Sequence, residues 1–359
     1  MSASAMRLLN PGPVTLTDTV RGALASEDLC HREPEFADLQ QTVRSGLRAV
    51  YGLSDEWAPV LVSGSGTAAV EAMVSSLPGA DARLLIVENG VYGERMARMA
   101  EVHGIAHERM TLAWGQAIDT AAVAEWLQAG AFSHLAVVHH ETTTGRLNDL
   151  EALGRACTAR GVAMLVDAVS SFGAEAIDFD ALPIAAVAAT ANKCLHGAPG
   201  LAFVIARRTA LAHGQPRTLY LDLAEYCAKQ DARSTPFTPA IPAFYALAAA
   251  LDEHAAEGGW FARRNRYRRL AAQVADGLAA LGITAVLDAD QSSCVLRAYR
   301  LPAALDYATL HDHLKQTGFV IYAGQGGLAD SIFRISTMGA LDEADIQRLI
   351  ASVACLVHN

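Results

Sequence analysis

Apolar residues in this chain gather into two kinds of run that alternate. PVLVSG (59–64), RLLIVEN (83–89), SHLAVVHH (133–140), VAMLVDAV (162–169), IAAVAATA (184–191) and LAFVIA (201–206) are short and mostly apolar. Runs of that kind predict strands buried on both faces of a largely parallel sheet. The segments between them carry the other pattern. GTAAVEAMVSSL (66–77), the stretch from Tyr92 to Val102 and LNDLEALGRACTAR read as helices, and upstream Phe36, Leu39, Val43, Leu47 and Val50 recur at helical spacing. Strand and helix in repeated succession predict an α/β domain.

The pattern changes after about residue 240. Two long helical stretches, IPAFYALAAALDEHAA and FARRNRYRRLAAQVADGLAAL, lead to sparser strands at SCVLRAY, FVIYAG and IFRIST, and a helix from about Glu343 closes the chain. This predicts a smaller α+β domain. At the other end, Pro11-Gly12-Pro13 excludes helix and closes a short arm. The expected division is an arm (1–15), a large domain (16–250) and a small C-terminal domain (251–359).

Composition then narrows the classes of function. Hydrophobic residues at 52% and charged residues at 18% suit a 359-residue chain with a large core. A net charge of −10 without any basic run argues against nucleic acid or a membrane surface as partner. An anionic substrate would have to be met by a few placed cations. The six cysteines are scattered with no C-x-x-C pair, which predicts reduced thiols, no metal site and a cytoplasmic protein. MSASAMRLLNPGP lacks the apolar core of a signal peptide, and no stretch is long enough to span a bilayer.

Three places carry candidate chemistry. Gly64-Ser65-Gly66-Thr67 joins a predicted strand to a predicted helix, where free N–H groups attract an anion and two hydroxyls add donors. A tight turn capped by Ser or Thr has the same form. Asp167 closes the run VAMLVD, at the strand end where ligands collect in open α/β sheets. It could cap the next turn, or pair with a buried cationic nitrogen and keep it protonated. Lys193 follows an apolar strand, among small residues and just before Gly197-Ala198-Pro199-Gly200. A lysine there needs a partner or must shed its proton, and forming an imine is one route. The order of the three, with Lys193 26 residues after Asp167, is more specific than any one of them.

With these residues in place, the chain resembles the class V aminotransferases of fold type I over nearly its full length. Within them it is most similar to the branch that exchanges an amino group between 2-aminoethylphosphonate and pyruvate. The matching segments include LLNPGPVT, CHREPEF, GSGTAAVEA, VENGVYGERM, HHETTTGRLN, VDAVSSFGAEAID, ANKCLHGAPGLAFVIARR, PFTPA, GFVIYAG and FRISTMG. The resemblance implies the type I pyridoxal-phosphate transferase fold, with a mainly parallel seven-stranded sheet domain and a smaller α+β C-terminal domain. It also implies pyridoxal 5′-phosphate as cofactor and a homodimer with sites at the subunit interface.

The resemblance assigns roles position by position. Lys193 would hold the cofactor as an imine, and Asp167 would pair with its ring nitrogen. Ser65, Gly66 and Thr67 would hold its phosphate, which Thr238 of PFTPA would reach from the neighbouring subunit. Tyr92 would stack on the ring, and Thr142 would bond near its phenolic oxygen. Arg334 would grip the substrate carboxylate with two parallel hydrogen bonds. Tyr92 also reads as an ordinary core tyrosine, Thr142 as turn chemistry and Arg334 as one half of a domain salt bridge. Arg32 is a second candidate for the substrate anion, although Glu33 and Glu35 are close enough in sequence to pair with it.

The expected reaction is ping-pong amino transfer between 2-aminoethylphosphonate and pyruvate, giving phosphonoacetaldehyde and L-alanine. The chain departs from that branch at His31-Arg32-Glu33, at Ala323-Gly324-Gln325 and at Ser336. HR-x-PEF also occurs among alanine–glyoxylate and serine–glyoxylate aminotransferases, which are the alternative. A pyridoxal-phosphate lyase would need a further acid or a nucleophilic cysteine on a mobile loop.

Overall fold

Seven strands form the central sheet of the computed structural model, which describes residues 6–357. In chain order they are β1 (Trp57–Gly64), β2 (Arg83–Glu88), β3 (Ala106–Thr111), β4 (His134–Val138), β5 (Ala163–Asp167), β6 (Ile184–Thr190) and β7 (Gly200–Arg207). Across the sheet they run β1-β7-β6-β5-β4-β2-β3, and β7 alone is antiparallel to its neighbours. The first residues of the arm, 1–5, lie outside the described residues, as do 358–359.

Side chains alternate between two buried faces, which is why these strands read as continuous apolar runs. Leu61, Val87, Val137, Val166 and Phe203 pack in one cluster. Val62, Ile86, Ala136, Leu165 and Val204 pack in the other. Four helices contribute to the cover: α1 (Pro34–Ala49), α2 (Gly66–Ser76), α3 (Val91–Val102) and α4 (Ile241–Glu257). Phe36 and Leu47 of α1 and Phe244 and Leu247 of α4 close the first face. Met73 of α2 and Met96 of α3 close the second. The exception to the apolar pattern is β3. It pairs with β2 alone, and of its side chains only Met110 is buried, so no apolar run marks it.

The small sheet is antiparallel, in the order β8-β10-β9, from β8 (Leu296–Arg300), β9 (Tyr322–Ala323) and β10 (Ile332–Ser336). Phe333 and Ile335 pack there with Leu270, Val274 and Leu278 of α5 (Gly259–Ala280) and Leu349 of α6 (Glu343–Val357). FVIYAG is divided between two partners. Phe319–Val320 pairs with Arg7–Leu8 of the arm, while β9 pairs with β10. Leu9 enters the same cluster, so the arm is fastened to the small domain. No described helix is long and apolar enough to cross a membrane.

Helices α4 and α5 meet at Gly258, whose φ of +104° suits glycine. We propose that the large and small domains join at this turn, a few residues beyond the position expected from sequence. Phe244 and Leu247 pack with the large sheet, whereas Leu270 and Val274 pack with the small one.

Glu175, in the loop after β5, ties the two parts together. Its buried carboxylate accepts from Ser293 Oγ at 2.6 Å, from the Cys294 N–H at 2.9 Å and from Arg264 Nε at 3.0 Å. Burial alone would raise its pKa, but the Ser293 hydroxyl and the Cys294 N–H hold it below the usual range. Glu175→Ala strands the Arg264 cation and two buried donors, and should lower unfolding free energy by about 3 kcal/mol in a urea titration. Because the folded pKa is depressed, this contribution is complete above the ordinary carboxyl range. It is lost as pH falls through the folded value, so the gap between wild type and variant should close in acid.

Candidate active site

The carboxyl ends of β1, β2, β4, β5 and β6 lead into the loops that carry the candidate residues. That edge is the ligand-collecting side of an open α/β sheet. After β1 comes Ser65, the N-cap of α2, extended (φ −85°, ψ 169°) and exposed. Its hydroxyl makes no cap hydrogen bond, so the turn is not held by its own serine. A Cβ on Gly66 would lie 2.7 Å from Val169 Cγ1, which lets only glycine bring the helix start against the end of β5. Gly66, Thr67, Tyr92, Asp167 and Val169 line one pocket, together with Arg95.

Asp167 ends β5 with 5% of its surface exposed. Its Oδ1 accepts from the Val169 N–H at 2.9 Å, and no hydrogen bond reaches Oδ2 among the described residues. Burial pushes its pKa up to about 6, opposed by that N–H and by the charges of Lys193 and Arg95. Lys193 lies just beyond β6, with Nζ donating to the Pro11 carbonyl of the arm. Desolvation lowers its pKa to about 8, partly offset by the Asp167 carboxylate. The arm can approach this closely because residue 12 is glycine. A Cβ there would fall 2.8 Å from Lys193 Cδ, at a φ of +118°.

Arg334 projects from β10 and is only 2% exposed. Its Nη1 donates to the Thr142 carbonyl and its Nε to the Ala323 carbonyl, both at 2.9 Å. No carboxylate lies within ion-pair distance of Arg334 or Lys193 among the described residues, so the domain salt bridge considered from sequence is absent there. Thr142 Oγ1 is buried without any hydrogen-bond partner.

Glu141, beside it, is fully buried. It accepts from Thr143 Oγ1 at 2.6 Å, from the Thr143 N–H at 3.2 Å and from the Tyr92 N–H at 3.2 Å. Thr143 Oγ1 in turn accepts from the Val91 N–H at 3.1 Å. The two side chains cap the start of α3, whose own N-cap is Gly90, and so fix where Tyr92 sits. Burial pushes the Glu141 carboxyl up to about 7, against the Thr143 donors.

Two expected residues lie apart from this pocket within the chain. Arg32 is exposed and donates to the Thr235 carbonyl at 3.3 Å, with no bond to Glu33 or Glu35 among the described residues. Thr238 is exposed on the same loop as Thr235, which is fastened beside β1 where the Ala240 N–H donates to Ser63 Oγ at 2.9 Å.

The class-V aminotransferase family profile matches residues 19–349. The chain belongs to that family. It is 39% identical over 353 residues to a 2-aminoethylphosphonate–pyruvate transaminase from Klebsiella pneumoniae, covering 96% of each chain. Its fold is similar to that of an aspartate aminotransferase from Thermus thermophilus (31% identity, 98% of this chain and 99% of that one, TM-score 0.89). It is also similar to an alanine–glyoxylate aminotransferase from Nostoc (26% identity, 100% and 97% covered, TM-score 0.91).

Membership makes the chain a transferase and implies a pyridoxal-phosphate cofactor. The residues present fit such a group. A Thr142 hydroxyl without a partner, a Ser65 hydroxyl that makes no cap bond and a helix start packed closely on β5 at Gly66 accompany a lysine of lowered pKa and a buried acid of raised pKa.

Sequence reasoning missed Glu141, Arg95 and the Pro11-Gly12 contact. Arg95 had a usable signal, since it stands three residues after Tyr92 on one helix and shares its face. The other two depend on neighbours remote in sequence. The perturbed amine is directly measurable. In the cofactor-free chain, reductive methylation of Lys193 should be half-maximal near pH 8 by peptide mass spectrometry; a midpoint in the ordinary lysine range near 10.4 would show the amine to be solvated.

Proposed function

We propose that this chain transfers an amino group between 2-aminoethylphosphonate and pyruvate, using pyridoxal 5′-phosphate held on Lys193. When bound, pyridoxal 5′-phosphate supplies an electron-accepting ring that makes the substrate's C–H bond acidic. Asp167 faces the ring nitrogen in this reading and keeps a proton on it. Ser65, Gly66 and Thr67 hold the phosphate at the start of α2, where unpaired N–H groups favour an anion. Tyr92 stacks on the ring, Thr142 donates to its phenolic oxygen, and Thr238 of a second copy completes the phosphate site in a homodimer. Lys193 Nζ, its pKa lowered to about 8, moves the proton to and from the substrate carbon.

Arg334 carries the substrate half of the proposal. A buried guanidinium without an acid partner has donors left for a planar or tetrahedral anion. In 2-aminoethylphosphonate that anion lies one carbon farther from the amine than the carboxylate of alanine does, and one cation has to meet both. Relatives named as 2-aminoethylphosphonate–pyruvate transaminases at 37–39% identity support the phosphonate. The likeness to the Nostoc enzyme, with His31-Arg32 ahead of Pro34-Glu35-Phe36, favours an alanine–glyoxylate or serine–glyoxylate reading as the second choice. The scattered cysteines support a cytoplasmic setting. The dimer rests on the resemblance to the class V aminotransferases.

Adding 2-aminoethylphosphonate alone to the loaded enzyme should bleach the absorbance band of the lysine-bound cofactor, and pyruvate should restore it. Bleaching by alanine or serine but not by the phosphonate would favour the second reading, and ammonia release without a keto acid would indicate a lyase. Arg334→Ala should raise the half-saturating phosphonate concentration by about a hundredfold, the expected loss for one partner of a buried charge pair. A change below threefold would remove Arg334 from the site.

A further inference from the structure

We propose that Arg95 is the cation that meets the phosphate of the cofactor, among donors that are otherwise neutral. The inference rests on the function proposed above. Arg95 projects from α3 toward the start of α2, and its Nη1 donates to Thr67 Oγ1 at 3.3 Å. It lines the same pocket as Gly66, Thr67, Asp167 and Val169. Its guanidinium carbon stands 4.9 Å from the centre of the Tyr92 ring, a cation–π contact.

The acids closest in chain or space are taken. Glu94 accepts from Trp114 Nε1 at 2.6 Å, and Glu141 is occupied by Thr143 and the Tyr92 N–H. Among the described residues Arg95 has no carboxylate within ion-pair distance. A guanidinium in that position is stabilised by an anion that arrives from outside.

Physical reasoning identifies the anion. The chain as a whole carries −10 and repels a dianion, while Ser65, Gly66 and Thr67 offer only uncharged donors and the partial charge of a helix start. A phosphate seated against Thr67 would lie beside Arg95 and receive a charge-assisted hydrogen bond. The guanidinium also acts on the chemistry, since its charge favours the ionised form of Asp167 and the neutral form of Lys193. Arg334 bonds instead to the Thr142 and Ala323 carbonyls, and is left for the substrate.

Two ligands separate a phosphate contact from a merely structural role. The cofactor-free full chain is titrated with pyridoxal 5′-phosphate and with pyridoxal, which lacks the phosphate, while absorbance and fluorescence are followed. Arg95→Gln should weaken binding of the phosphorylated ligand by about tenfold to a hundredfold and leave pyridoxal within about twofold. Arg95→Lys, which keeps a point charge, should recover part of the loss. Equal weakening of both ligands would make Arg95 a structural residue and overturn the proposal. So would an unchanged affinity for the phosphorylated ligand with a raised half-saturating concentration of 2-aminoethylphosphonate, which would assign Arg95 to the substrate. A wild-type chain with no preference for the phosphorylated ligand overturns both this assignment and the function it rests on. A preference that survives intact in Arg95→Gln overturns this assignment alone.

Discussion

Arg334 is taken out of water with its guanidinium bonded to two carbonyl oxygens, and the Lys193 amine rests on a third. Removing a cation from water without an acid partner costs several kcal/mol, and neutral carbonyls return only part of it. In a chain with ten more acids than bases, such an arrangement is a choice of position, because carboxylates are plentiful elsewhere. The lysine responds by holding its proton less firmly, and burial lowers the pKa of the arginine as well. Asp167 is the counterpart, a buried carboxyl whose pKa is raised although two cations act to lower it. The rest of the fold exists to keep these charges in place.

Three elements do that holding. The parallel strands end at one edge, so the loops bearing Ser65, Tyr92, Thr142, Asp167 and Lys193 converge without long connections. The arm runs from the small domain to the lysine, joined at one end by the pairing of Arg7–Leu8 with Phe319–Val320 and touching Nζ at the other through Pro11. The small domain brings Arg334 to the Thr142 carbonyl, and the buried Glu175 fastens that domain to the loop after β5. Movement of the small domain would therefore shift Arg334 and the arm over Lys193 together.

The sequence exposed whatever depends on local pattern. Strands buried on both faces declared themselves as apolar runs, and Asp167 and Lys193 stood out as charges closing such runs. β3 did not, because an edge strand with one buried side chain has no periodic signal. GSGT has the form of a tight capped turn, yet the Ser65 hydroxyl makes no cap bond, which spacing does not reveal. Glu141 was visible as a letter in ETTTG, but its meaning came from the start of α3, some fifty residues earlier in the chain. Arg95 likewise looks like any surface arginine until Thr67 and the occupied acids around it are known. Side chains whose role is set by remote neighbours cannot be read from spacing alone.

The central claim is that a single amine, that of Lys193, is the seat of the cofactor. Borohydride reduction of the enzyme loaded with pyridoxal 5′-phosphate fixes that link, and peptide mass mapping then locates it. The account predicts the adduct on the peptide containing Lys193 and none on those containing Lys229 or Lys315. An adduct on either of the other lysines, with Lys193 unmodified, would contradict it.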